Sequence, residues 1–141
     1  TGSLDYLLSI FYDYQILPHK LDIFASGSYQ ITSENDLDYE FGDQTLLNVG
    51  INYRLESEKN ISVSTQLNFR QAERDTFETT TGGVGVPSTG STSLNITPGI
   101  RIQSSDNLSL YSFLQLPLYQ YVNEENVVSR FGLVVGATYT F

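Results

Sequence analysis

Apolar and polar residues alternate one for one through most of this chain, and no other feature restricts its fold so tightly. Leu21, Ile23, Ala25, Gly27, Tyr29 and Ile31 alternate with Asp22, Phe24, Ser26, Ser28, Gln30 and Thr32, and only Phe24 breaks the pattern. Leu47, Val49, Ile51, Tyr53 and Leu55 alternate with Asn48, Gly50, Asn52 and Arg54. Ile61, Val63, Thr65, Leu67 and Phe69 alternate with Ser62, Ser64, Gln66, Asn68 and Arg70. Leu94, Ile96, Pro98, Ile100 and Ile102 alternate with Asn95, Thr97, Gly99, Arg101 and Gln103. The end of the chain sets Phe131, Leu133, Val135, Ala137, Tyr139 and Phe141 against Gly132, Val134, Gly136, Thr138 and Thr140. A period of two belongs to strands, because successive side chains point to opposite faces, whereas a helix repeats near 3.6.

Two more segments are less regular. Leu4, Tyr6, Leu8, Ile10, Tyr12 and Tyr14 share one face with Asp5, Ser9 and Asp13 opposite, and residues 108–121 are apolar on both faces. The reading is therefore all-β, with about seven strands in one domain spanning residues 1–141. Short turns at 17–20, 56–60 and 104–107 alternate with longer connections at 33–44, 71–92 and 123–129. Short turns at one end and long loops at the other describe an antiparallel up-and-down meander, the layout of outer-membrane barrels.

Such a meander closes with its apolar stripe inward, as in a soluble lipocalin-like binder, or outward, against lipid. Three features favour the outward arrangement. The apolar stripes are nearly free of charge over about ten residues, the length a tilted spanning strand needs. Aromatics on the stripe gather near strand ends: Tyr12, Tyr14, Tyr53, Tyr139 and Phe141 at the short-turn rim, Tyr29 and Phe69 at the long-loop rim, as interfacial girdles require. The chain ends Tyr139–Thr140–Phe141, an ending that resembles the C-terminal assembly signal read by the barrel-insertion machinery.

Composition narrows function by exclusion. Sixteen acidic against seven basic residues give a net charge of −9, which repels nucleic-acid phosphates. With no Cys and one His, the chain offers no disulfide scaffold, no thiol nucleophile and no multi-His metal site. No Met occurs, so the chain is expected to be processed or cropped, with no signal peptide expected to remain, and no apolar run approaches the ~20 residues of a membrane helix. Seven strands are odd for a barrel with both ends in the periplasm, so the expectation is the C-terminal part of a larger barrel, with a barrel of several chains or a further short strand near Asp75–Thr81 as alternatives.

The stretch from Leu110 to Asn123, with Gln115, Pro117, Tyr119 and Gln120, followed by a closing strand ending Tyr139-x-Phe141, is similar to the C-terminal hairpin of the phenol-degradation MetA-pathway transporter family. That resemblance implies an outer-membrane channel for hydrophobic or aromatic compounds.

The polar stripe supplies the pore-lining candidates: Asp5, Asp13, Asp22, Asn48, Asn52, Arg54, Gln66, Asn68, Arg70, Arg101 and Arg130. Charges of both signs there either select solutes or pair across a polar interior. The acidic run Glu34, Asp36, Asp38, Glu40, Asp43 lacks the arrangement of a calcium loop and reads as a solvated loop. Gly82, Gly83 and Gly85 have no Lys-Ser/Thr and no following helix, so a mobile surface loop is expected rather than a phosphate loop. His19 stands in a turn with no paired Ser at recognisable spacing, so no catalytic residue, metal or cofactor is expected. The expected partners are membrane lipid, lipopolysaccharide, the barrel-insertion machinery and a small-molecule solute in the bacterial outer membrane. Two other readings stay open: a plugged structural barrel serving an envelope complex, and the soluble binder.

Overall fold

A computed structural model describes residues 3–55, 60–79, 82–124 and 128–141; most of the turn expected at 56–60 and part of the 123–129 connection lie outside them. The described chain forms ten strands and no helix: β1 (Tyr6–Leu17), β2 (Leu21–Ile31), β3 (Tyr39–Glu40), β4 (Gln44–Arg54), β5 (Ile61–Ala72), β6 (Thr76–Thr79), β7 (Gly82–Gly85), β8 (Ser91–Gln103), β9 (Leu108–Val122) and β10 (Gly132–Tyr139). Seven of them make one sheet in the order β1-β2-β4-β5-β8-β9-β10, every neighbouring pair antiparallel. These are the seven strands that the alternation predicts, joined as a meander. The other three form a small second sheet in the order β3-β6-β7.

Cross-strand register turns the alternation of single strands into two continuous faces. Asp22 opposes Asn52, Ser26 opposes Asn48, Asn48 opposes Asn68, and Asn68 opposes Asn95, so the polar stripes coincide. On the reverse side Val49 opposes Leu67 and Leu67 opposes Ile96. A slip of one residue would turn a whole stripe to the wrong face, and the two faces between them hold the register. Among the described residues no hydrophobic side chain is buried, whereas Asp22, Thr32 and Thr97 are. Many large apolar side chains are exposed, and the buried side chains are polar.

The sheet is open rather than closed into a barrel. β1 and β10 both run from the long-loop rim to the short-turn rim, so the two edges are parallel to each other. An odd number of antiparallel strands always leaves its edges this way, and no antiparallel seam can join them.

Strand β9 resolves the segment that reads as apolar on both faces. Leu94 opposes Tyr119 and Asn95 opposes Pro117, so Leu118 is an extra residue in a bulge. The bulge shifts the alternation: Leu110, Leu114 and Leu116 keep one phase, Tyr119 and Tyr121 the other, and all of them stay on the apolar side. Pro117, which has no N–H to give a ladder, sits in this interruption, where a strand proline is tolerated.

The long connections at 33–44 and 71–92 are also more ordered than expected. Five residues back from Gln44 is Tyr39, and five residues on from Ala72 is Phe77. Gln44 opposes Ala72 and Tyr39 opposes Phe77, so β3–β6 continues the β4–β5 register without a slip. Backbone bonds from Glu73 N–H to the Asp43 carbonyl (2.9 Å) and from Glu78 N–H to the Asp38 carbonyl (2.8 Å) keep that register between and beyond the ladders. Two neighbouring wall strands thus project past the rim as one ribbon. β7 folds back on β6, so Gly82–Gly85 is a hairpin strand rather than the mobile loop that its glycines suggest.

Candidate functional site

The polar faces of the wall strands line a concave trough of about 1000 Å³. Nine of the eleven residues singled out on the polar stripe stand on its wall: Asp13, Asp22, Asn48, Asn52, Arg54, Gln66, Asn68, Arg70 and Arg101. Asp5 and Arg130 do not. Asp5 precedes β1 at the long-loop end, where it accepts a 3.3 Å hydrogen bond from Gln30, and Arg130 is exposed before β10.

At mid-height a chain of side-chain hydrogen bonds crosses four strands. Thr97 Oγ1 donates to Asn68 Oδ1 (2.7 Å), Asn68 Nδ2 to Asn48 Oδ1 (2.7 Å), and Asn48 Nδ2 to Ser26 Oγ (3.1 Å). Each amide accepts from one neighbour and donates to the next, so all the bonds point the same way around the wall. Asn48 and Asn68 are therefore largely committed to the wall, each with one amide hydrogen left over.

Towards the short-turn rim, Asp22 is buried and accepts a 2.9 Å bond from Asn52 Nδ2. Its other oxygen has no hydrogen bond and lies 3.5 Å from the half-exposed Arg54 guanidinium, an attraction of charge alone. Once that pair is set aside, Asp13, Arg70 and Arg101 remain as the trough's charges. Arg70 donates to the Gln44 side-chain oxygen (3.1 Å), and the Arg101 guanidinium carbon stands 5.8 Å from the centre of the Tyr111 ring.

Three of the aromatic rings on this polar face each lie over a glycine directly across the ladder. Phe24 faces Gly50, Phe113 faces Gly99 and Tyr111 faces Gly136. A Cβ at these glycines would fall 2.4, 2.3 and 2.3 Å from the covering side chain, so only glycine leaves room for the ring to lie flat. The pairing explains why Phe24 interrupts its stripe. The sequence signal was present, an aromatic on a polar stripe with a glycine on the next, but the register was needed to connect them. Tyr111 and Phe113 had no such signal, because residues 108–121 read as apolar on both faces.

The long-loop rim is tied down by carboxylates. Asp43 accepts from Tyr29 Oη (2.6 Å) and from the Thr32 N–H (3.0 Å), and these bonds, the tyrosine's first, hold its carboxyl below the usual range. Asp75 accepts from Tyr39 Oη and from the Gly42 N–H (2.8 Å). The Asp75 bond pushes the Tyr39 hydroxyl up to about 12. Gly42 packs so closely on the neighbouring backbone that a Cβ would meet the Glu73 carbonyl oxygen at 2.1 Å. Desolvation, then the nearby Glu78, Asp38 and Glu40, raises the Glu34 carboxyl. Among the described residues no group of three or more His, Asp or Glu could hold a metal ion.

At the far end, Asn107 binds the last strand on both sides: its carbonyl accepts from the Thr140 N–H (2.9 Å) and its amide donates to the Thr140 carbonyl (2.7 Å). Tyr139 and Phe141 meet edge to face at 5.3 Å between ring centres, with Phe141 fully exposed. His19 lies in the β1–β2 turn with a left-handed backbone (φ 59°) and is exposed, away from the trough.

A polar concave face backed by an apolar convex one, on an open antiparallel meander, defines an all-β protein built on one large sheet. The chain belongs to the family "Putative MetA-pathway of phenol degradation", whose model matches residues 2–136. No curated protein and no solved structure matches it.

Proposed function

We propose that this chain forms part of the wall of a bacterial outer-membrane barrel that passes small molecules passively, without catalysis. One observation carries the proposal: the exposed apolar residues and the buried polar ones are exchanged relative to a soluble protein. An apolar back costs free energy in water and is favourable against lipid, while a polar lumen holds water and solute. The family's link to phenol degradation supports a small aromatic compound as the solute. The rings of Phe24 and Phe113 on the trough wall, set among amides and arginines, suit such a compound. Lipid and lipopolysaccharide would cover the convex face, and the Tyr139–Phe141 ending would present the strand to the insertion machinery.

A soluble lipocalin-like binder requires the apolar stripe on the concave side, opposite to the arrangement found. The plugged structural barrel differs from the channel only in conductance. The test is single-channel recording of the purified protein in a planar bilayer, beside an SDS gel of unheated and boiled samples. Discrete conductance with a heat-dependent mobility shift is expected. A heat shift without conductance would replace the channel by the plugged barrel, and protein soluble without detergent would overturn both.

A further inference from the structure

The ribbon beyond the long-loop rim has a face that the channel reading leaves unused. Tyr39 opposes Phe77 and Phe77 opposes Val84, so these three side chains form one row across β3, β6 and β7. Phe41 extends the row, its ring edge-on to Tyr39 at 5.1 Å between centres. Phe41, Phe77 and Val84 are 52%, 44% and 54% exposed. Along β4 and β5 the row is separated from the apolar band of the wall by polar pairs. The last apolar pair of that band is Leu47 with Phe69; Thr45 with Gln71 and Asp43 with Glu73 follow before the ribbon begins. From Leu47 to Phe41, the near end of the row, is roughly 20 Å along the strand.

The other side of the ribbon is acidic. Glu40 and Glu78 alternate with Tyr39 and Phe77 along their strands, and Asp38 lies across from Glu78. The nearby cation, Arg74, is engaged with Glu124 at 3.8 Å. The sheet also ends in an unpaired edge: among the described residues β7 pairs only with β6. Its residues Gly82–Gly85 are exposed, with nothing within 4 Å of a Cβ placed at Gly82 or Gly83. A glycine edge lets another backbone approach closely.

We propose that the β7 edge is a docking site for a cationic, alternating polypeptide segment that adds to the rim sheet as a fourth strand. Its apolar side chains extend the Tyr39–Phe77–Val84 row, and its Lys or Arg side chains fall on the Asp38–Glu40–Glu78 side. Backbone bonds supply affinity, and the two faces supply selectivity.

The test measures fluorescence anisotropy of a labelled peptide of alternating Lys and Val, titrated with the full chain in detergent and with empty micelles as the blank. Saturable binding is expected, weakened about tenfold or more both in the double variant F77S/V84S and in D38K/E78K. The same peptide N-methylated at alternate amides should lose saturable binding, because it cannot complete a ladder. Unchanged affinity of the methylated peptide would overturn strand addition in favour of adsorption by charge. Absence of saturable binding, or equal affinity for both double variants and the parent, would overturn the docking site. The variants change exposed residues and are separate from the trough, so conductance serves as an independent check that they have folded.

Discussion

The wall and the rim ribbon share two strands and one register but are held together by different means. In the wall, long ladders are backed by side-chain rows whose members are neutral: the Thr97–Asn68–Asn48–Ser26 chain and the three rings over glycines. In the rim, the ladders are two to four residues long, and the order comes from carboxylates that gather donors from other segments: Asp43 from Tyr29 and Thr32, Asp75 from Tyr39 and Gly42. A ladder of a dozen residues is cooperative and tolerates a lost side chain. A ladder of two depends on the few groups that pin it. The contrast teaches that a register can outlast the sheet that sets it, provided side chains take over the work of absent neighbours.

The largest expected effect tests whether the rim opens by itself. Gly42→Ala forces a Cβ into the Glu73 backbone and should destabilise the rim by about 3 kcal/mol. Limited proteolysis would then cut within 33–43 and 73–90 while the β4 and β5 amides keep their hydrogen-exchange protection. Loss of wall protection as well would show the two regions to be one cooperative unit.

Within the wall, Gly99→Val should cost about 2 kcal/mol by pushing Phe113 off its seat, and a second change, Phe113→Ala, should recover part of the loss. Denaturant midpoints of the single and double variants give the coupling, and additive losses would mean that the ring and glycine are independent. Thr97→Val removes one buried donor from the side-chain row and should cost about 1 kcal/mol on the same measurement.

Asp22→Asn leaves the Arg54 guanidinium without its partner and should change stability little, because that arginine is half-exposed. If the trough conducts, the reversal potential in a salt gradient should move towards anion selectivity, and an unchanged potential would place Asp22 outside the ion path.

The smallest effect is a titration of the rim. Tyr39 is raised in the folded protein, so its contribution is complete below the ordinary tyrosine value near 10 and is lost as pH rises through about 12. Asp43 is lowered, so its contribution is present above the ordinary carboxylate value and is lost as pH falls through its own lower one. Phenolate absorbance near 295 nm should show one tyrosine fewer ionising near pH 10 than in Asp75→Asn, where Tyr39 returns towards its ordinary value. Identical curves would remove Asp75 as the cause.

Much of the wall is legible in the alternation alone. The faces of β2, β4, β5, β8 and β10 follow from it because each residue reports its own side, and nine of the eleven polar-stripe residues line one trough. Asp5 and Arg130 fall away from that trough because both lie just outside a strand, where alternation no longer fixes direction. Gly82, Gly83 and Gly85 suggest mobility because glycine carries no side chain to signal a strand, and the ladder to β6 comes from backbone groups common to every sequence.

The sequence by itself determined the strand class, the meander and the polarity of each face, since a period of two is a local property written at every position. Tertiary structure alone decided what depends on two segments at once. The bulge at Leu118 set the phase of β9, the cross-strand register seated Phe24, Phe113 and Tyr111 on their glycines, and the unbroken β4–β5 register carried two strands past the rim. These features depend on which backbone groups meet, and that choice is made only when distant parts of the chain compete for the same hydrogen bonds.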